Sequence, residues 1–249
     1  MALKLNKLFL ILAILSPFSF FAQESEGPKP VRITDYKNDS SYKNFSDLRF
    51  KVAKAQINLL KNGGALLVRL KTNTNTISRL KAAGNIDLAT QVERETFIRN
   101  KGIVKAFMNE LKFCPVYFFN SDCSDSVKHK NLNGIFVDTN LTVNPSIVCN
   151  ANFYLIAEQG TIYESSLGIV PEKQAPKAIE RGSPSKEVSI VIKNRYFIQL
   201  HKPFPYYQKG YSLKKHYKEY VIKFDDALWK FYEKNIGYTI PANLAEYVY

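Results

Sequence analysis

The chain has 249 residues, 45% hydrophobic and 23% charged, with 35 Lys and Arg against 22 Asp and Glu. That composition is globular and excludes a disordered, collagen-like or disulfide-scaffold chain. A net charge of +13 suits an acidic partner such as an anionic glycan, a membrane surface or nucleic acid, and carries no information about fold.

At the amino terminus Lys4 and Lys7 precede the apolar run Leu8 to Leu15, and the uncharged stretch continues through Pro17 to Ala22. This is the pattern of a signal peptide, because a permanent span needs about 20 predominantly apolar residues without a helix breaker. Residues 1–22 are therefore expected to be removed after Ala22. The mature chain is then expected in the periplasm or the medium of a bacterium, with no transmembrane helix left in it. Residues 23–42 carry Pro28 and Pro30 without periodicity and read as an exposed leader. Residues 43–249 read as one α/β domain, with a subdivision near 171–186 as the alternative.

Ser46 and Asp47 open a helix whose apolar positions Leu48, Val52, Ala55 and Leu59 recur at helical spacing, and Gly63 stops it. Ala65 to Leu70, interrupted only by Arg69, predicts a buried strand in a parallel part of a sheet. Two helical pieces follow, Ile77 to Ala83 and Asp87 to Lys112. Ile103, Phe107 and Leu111 lie inward with Val104 and Met108 beside them, and Gly102 is a point where the helix could break. Val116 to Phe119 is the next strand, which makes a parallel strand-helix-strand crossover.

Ile135 to Val137 predicts a short strand. Phe153 to Ala157 and Thr161 to Tyr163 predict a hairpin turning at Glu158-Gln159-Gly160. Residues 171–186, with Pro171, Pro176, Gly182 and Pro184, read as a loop. Val188, Ile190 and Ile192, then Tyr196, Ile198 and Leu200, alternate around Asn194-Arg195, a second hairpin. Tyr220 to Phe224 suggests a last strand, with Asp225 capping a final helix that Gly237 and Pro241 terminate. The fold class expected is α/β: a mixed sheet with a parallel strand-helix-strand unit followed by antiparallel hairpins, and helices packed on the sheet.

Three cysteines entering an oxidising compartment leave at least one thiol unpaired, and the nine-residue separation favours a bond between Cys114 and Cys123. The sequence contains no glycine-rich phosphate loop, no G-x-S-x-G turn and no C-x-x-C or H-E-x-x-H pair, so neither a nucleotide, a cofactor nor a metal is expected.

Two segments gather functional residue types. In the loop from Cys114 to Lys130, Cys123 could be a thiolate activated by His129, with Asp125 orienting the imidazole; Asp122 and Asp125 fall short of a calcium ligand set. From Lys193 to Lys218 seven cations alternate with tyrosines and no acid intervenes. Lys193, Arg195, Lys202, Tyr206, Tyr207, Lys209, Tyr211, Lys214 and Lys215 are the binding residues this pattern predicts, because rings stack on sugars or bases while cations neutralise phosphates or carboxylates. The function expected is a noncatalytic envelope module binding an anionic surface, a glycan or an envelope protein. The alternative is a secreted hydrolase or transferase with its site in the Cys114 to Lys130 loop.

Overall fold

A computed structural model describes residues 45–160, 189–208 and 217–239. The expected signal peptide, the leader, Thr161 to Tyr163 and the 171–186 loop lie outside the described residues. Within them the chain is α/β, as its pattern predicted. A five-stranded mixed sheet runs in the order β2-β1-β3-β4-β5. Its strands are β1 (Ala65–Leu70), β2 (Val116–Asn120), β3 (Tyr154–Gly160), β4 (Ser189–Lys193) and β5 (Tyr207–Gln208). The helices are α1 (Phe45–Lys61), α2 (Thr74–Ala82), α3 (Ile86–Glu110), the short α4 (Ser124–Lys128) and α5 (Tyr217–Glu233).

The central strand β1 pairs in parallel with both β2 and β3, and β4 and β5 close the sheet antiparallel. Strand alternation sends Leu66, Val68 and Leu70 to one face and Ala65 and Leu67 to the other. On the first face the inward stripes of α1, α3 and α5 meet them: Leu48, Val52, Ile57 and Leu60, then Ile103, Val104 and Phe107, then Val221, Phe224 and Leu228. The second face is covered by Val127 of α4 and by Ile135 and Phe136, with Leu132, Ile147 and Cys149 packed beside them. Among the described residues no helix is long and apolar enough to cross a membrane.

Helix α1 begins at Phe45, one residue before the expected cap, and the chain leaves it through Gly63 at φ 95°. Helix α3 runs unbroken through Gly102. A side chain there would put a Cβ 2.8 Å from the Tyr217 ring, so close packing against α5, and not a break, calls for glycine. Met108 turns outward at 47% exposure.

Four expectations need correction. The stretch Glu158-Gln159-Gly160 is not a turn: it is the end of β3, paired with β4 from Glu158↔Val191 to Gly160↔Ser189. Ile135 to Val137 makes only isolated bridges, Phe119↔Phe136 and Val137↔Val143. Tyr220 to Phe224 is helical. Its residues are β-prone, but Tyr220, Val221, Phe224 and Leu228 recur at three and four, the spacing that buries one helix face on α3. Asp225 lies inside α5 rather than at its start.

The hairpin after β4 exists in altered form. Asn194 N donates to Ile198 O, and the chain returns at Lys193↔Gln199, so five residues form the loop. Phe197, not Asn194, has the positive φ, at 63°. Asn194 instead accepts from the backbone N–H of Tyr196 and Ile198 through its side-chain oxygen.

Candidate functional site

Strand β2 separates the two cysteines that the sequence suggested pairing. Cys114 packs into the core on the helical face, while Cys123 lies against the opposite face. A disulfide needs Cβ atoms about 4 Å apart, and a sheet layer stands between these two; all three cysteines are free thiols. Burial pushes Cys114 up to about 12, helped by the Asp225 charge.

The expected nucleophile is not assembled either. Cys123 precedes α4 and His129 follows it. Six residue steps from one to the other amount to about 9 Å of rise and a net two-thirds of a turn of rotation, which points the two side chains apart. His129 is exposed, and its Nδ1 lies 2.8 Å from the Asp125 carbonyl; the Asp125 carboxylate pairs with Lys128 at 3.1 Å. Cys123 is raised by burial and by the Asp122 charge, the wrong direction for an attacking thiolate. Asp122 accepts from the hydroxyls of Thr72 at 2.8 Å and Thr74 at 2.9 Å, clamping the loop after β2 to the start of α2. Among the described residues no cluster of His, Cys, Asp and Glu is arranged to hold a metal ion.

Of the basic aromatic segment, Lys209, Tyr211, Lys214 and Lys215 lie outside the described residues. The others divide. Tyr206 is buried in the core, its ring edge-on to Tyr207 at 4.7 Å. Arg195 turns onto its neighbour, with its guanidinium 4.5 Å over the Tyr196 ring and bonded to the Tyr196 hydroxyl. Lys202 borders a surface groove with Asp47, Arg49, Phe50 and Pro203, and its carbonyl accepts from Arg49 Nη2 at 2.8 Å. Lys193 points onto the sheet and pairs with Glu158.

That pair belongs to a cluster the sequence did not suggest. Parallel register sets Arg69 of β1 opposite Glu158 of β3. Arg69 Nη1 donates to Glu158 Oε2 at 2.9 Å, its Nε donates to Ser124 Oγ at 2.9 Å, and Lys193 takes Glu158 Oε1. Burial works to raise Glu158, but the Lys193 charge and the bonds from Lys193 and Arg69 outweigh it, so the carboxyl lies below its usual range and stays ionised.

Just past β1, Asn100 Nδ2 donates to the Lys71 carbonyl at 2.9 Å, docking α3 on the end of the strand. The Lys71 ammonium is pushed below the usual lysine range. Desolvation by the surrounding protein is the first cause; the like charges of Arg69, Arg99 and Lys193 add to it, and Glu158 opposes it. Burial raises the Tyr217 hydroxyl above its ordinary value, opposed by the Arg99 charge and the Gln159 side chain.

Two cations, Arg69 and Lys193, thus bind one carboxylate at the carboxyl ends of β1 and β3, within reach of the Lys71 charge. In such sheets this is where the outward connections diverge and ligands bind. The arrangement can hold negative charge, and Glu158, ionised between two cations, is not itself a proton donor in it. Two members carried a sequence signal, Arg69 as the lone charge in an apolar run and Lys193 as the start of the basic aromatic segment, while Glu158 is brought to them by the fold. Compared with known proteins, the chain matches no family model, no curated protein and no solved structure.

Proposed function

We propose that this chain is an exported, noncatalytic envelope protein that binds an anionic partner, a glycan, a lipid surface or the acidic face of another protein, through its basic surface. The observation that carries the reading is the cluster at the ends of β1 and β3, where Arg69 and Lys193 share the single carboxylate of Glu158 and leave a net positive charge, with the Lys71 charge close by. Holding like charges together costs electrostatic energy in the free protein, and an anion relieves it. The Lys193 to Lys218 segment adds cations and rings of the kind that meet polyanions, and the amino-terminal pattern of Lys4, Lys7 and Leu8 to Leu15 supports export.

The test is titration of the mature chain with an anionic polysaccharide and with anionic vesicles at two salt concentrations. Affinity should drop at least tenfold between about 50 and 300 mM salt, because phosphate- or carboxylate-bound counterions are released on binding. Absence of binding to either probe, or binding indifferent to salt, would overturn the reading.

A further inference from the structure

We propose that the groove between the first turns of α1 and the Lys202-Pro203 segment is a subsite for an acidic sugar residue, a uronate, of a glycan partner. The inference rests on the binding reading above and narrows its partner to a glycan. The groove lies on the helical side of the sheet, apart from the Arg69, Glu158 and Lys193 cluster on the other face.

The groove has a volume of about 490 Å³ and is lined by Asp47, Arg49 and Phe50 of α1 and by Lys202 and Pro203. That size is typical of sites for small ligands and suits a sugar residue with a neighbour along its chain. A hydrogen bond from Arg49 Nη2 to the Lys202 carbonyl, at 2.8 Å and across 153 residues of sequence, ties the two walls together. The concavity is thus held by tertiary structure before any ligand arrives.

Its charges are unevenly satisfied. Asp47 is paired with Lys51 of the next turn at 2.8 Å, so its charge is offset within α1. Lys202 is exposed, and among the described residues its ammonium has no carboxylate partner. Beside it Phe50 keeps 41% of its surface exposed, and Lys54 Nζ stands 4.3 Å over the ring centroid and steadies it. Phe50 and Pro203 offer apolar walls to the C–H face of a pyranose, while Lys202 and Arg49 place positive charge where a carboxylate would sit. A uronate carries both groups on one residue. A flat lipid surface cannot enter a groove, and an acidic side chain has no ring for the apolar walls.

The test titrates the mature chain with trigalacturonate, with neutral maltotriose and with triglutamate, read by calorimetry and by amide chemical-shift changes. The expected result is saturable binding of trigalacturonate, at least tenfold tighter than of the other two, with shifts confined to residues 47–54 and 200–204. Affinity should fall at least tenfold in Lys202→Met and in Phe50→Ala and be largely retained in Lys202→Arg. Both side chains are exposed, so the variants should fold, which circular dichroism checks.

The inference is overturned if trigalacturonate does not bind, if its shifts fall at residues 69–71, 158 and 193 instead, or if both charge- and ring-removing variants bind as the wild type does. Equal binding of triglutamate would also overturn it, and would point to acidic side chains of a protein. In each case retained salt-sensitive binding of the polysaccharide or vesicles leaves the broader reading standing, and its loss removes both.

Discussion

Position 225 places an aspartate inside α5, although Asp is a poor helix-interior residue because its short side chain competes for backbone groups. Its use lies on another segment. Asp225 Oδ1 accepts from the backbone N–H of Lys112 and of Phe113, each at 2.8 Å, just beyond the end of α3. The chain turns there from α3 toward β2, and these donors have no ladder partner. Asp225→Ala should cost about 2–4 kcal/mol, since it leaves buried donors unsatisfied, whereas Asp225→Asn keeps the acceptor oxygen and should cost about 1 kcal/mol. Urea denaturation of the three proteins measures both. Equal losses would show that the charge, rather than the acceptor position, holds the turn. The sequence showed an Asp before an apolar stripe and suggested a cap. The true partners are more than 110 residues earlier, a separation that no local pattern reports.

At the scale of elements, the pattern was legible where one face of an element met the core and the other met water. Strand β1 has the bounds that its apolar run predicted, and α1 and α3 follow their stripes. It failed at β3 and β4. In β4, Ser189 and Val191 are as buried as Ile190 and Ile192, so alternation there does not report an inner and an outer face. In β3 the polar end Glu158-Gln159-Gly160 looked like a turn, because a carboxylate in a sheet is justified only by cations on neighbouring strands.

Those cations govern a pH response. The folded carboxyl of Glu158 is depressed, so its contribution to stability is fully present above the unfolded value of about 4.3 and is lost as pH falls through the lower folded value. Glu158→Gln should cost about 2–3 kcal/mol at neutral pH, below the loss for a fully buried pair because Arg69 and Lys193 retain 25% and 16% side-chain exposure. The wild-type and Glu158→Gln denaturation midpoints should converge as pH falls below about 4.3. A constant gap down to pH 2 would assign the effect to packing instead of charge.

At the scale of the whole molecule, the reading joins the amino-terminal pattern to the basic face. If the signal peptide is processed as expected, intact mass spectrometry of protein recovered from a bacterial envelope should give a chain starting at Gln23. Alkylation without reductant should add three labels once the protein is denatured, one for each free thiol. A chain retaining Met1 would remove export from the proposal. Two labels fewer would show a disulfide, and with it a packing of β2 different from the one that puts Cys114 and Cys123 on opposite faces of the sheet.

By itself the sequence determined the α/β class, the parallel unit around β1, the principal helices and the excess of positive charge. Those properties are written in composition and in periods of two and 3.6 residues, which a local window contains. Tertiary structure alone decided that Tyr206 goes inward, that Cys123 and His129 stay apart, and that Arg69, Glu158 and Lys193 meet at one end of the sheet. Each depends on parallel register or helix docking between segments tens of residues apart, and the energy that fixes them comes from burial and charge pairing across that distance. No spacing along the chain encodes either.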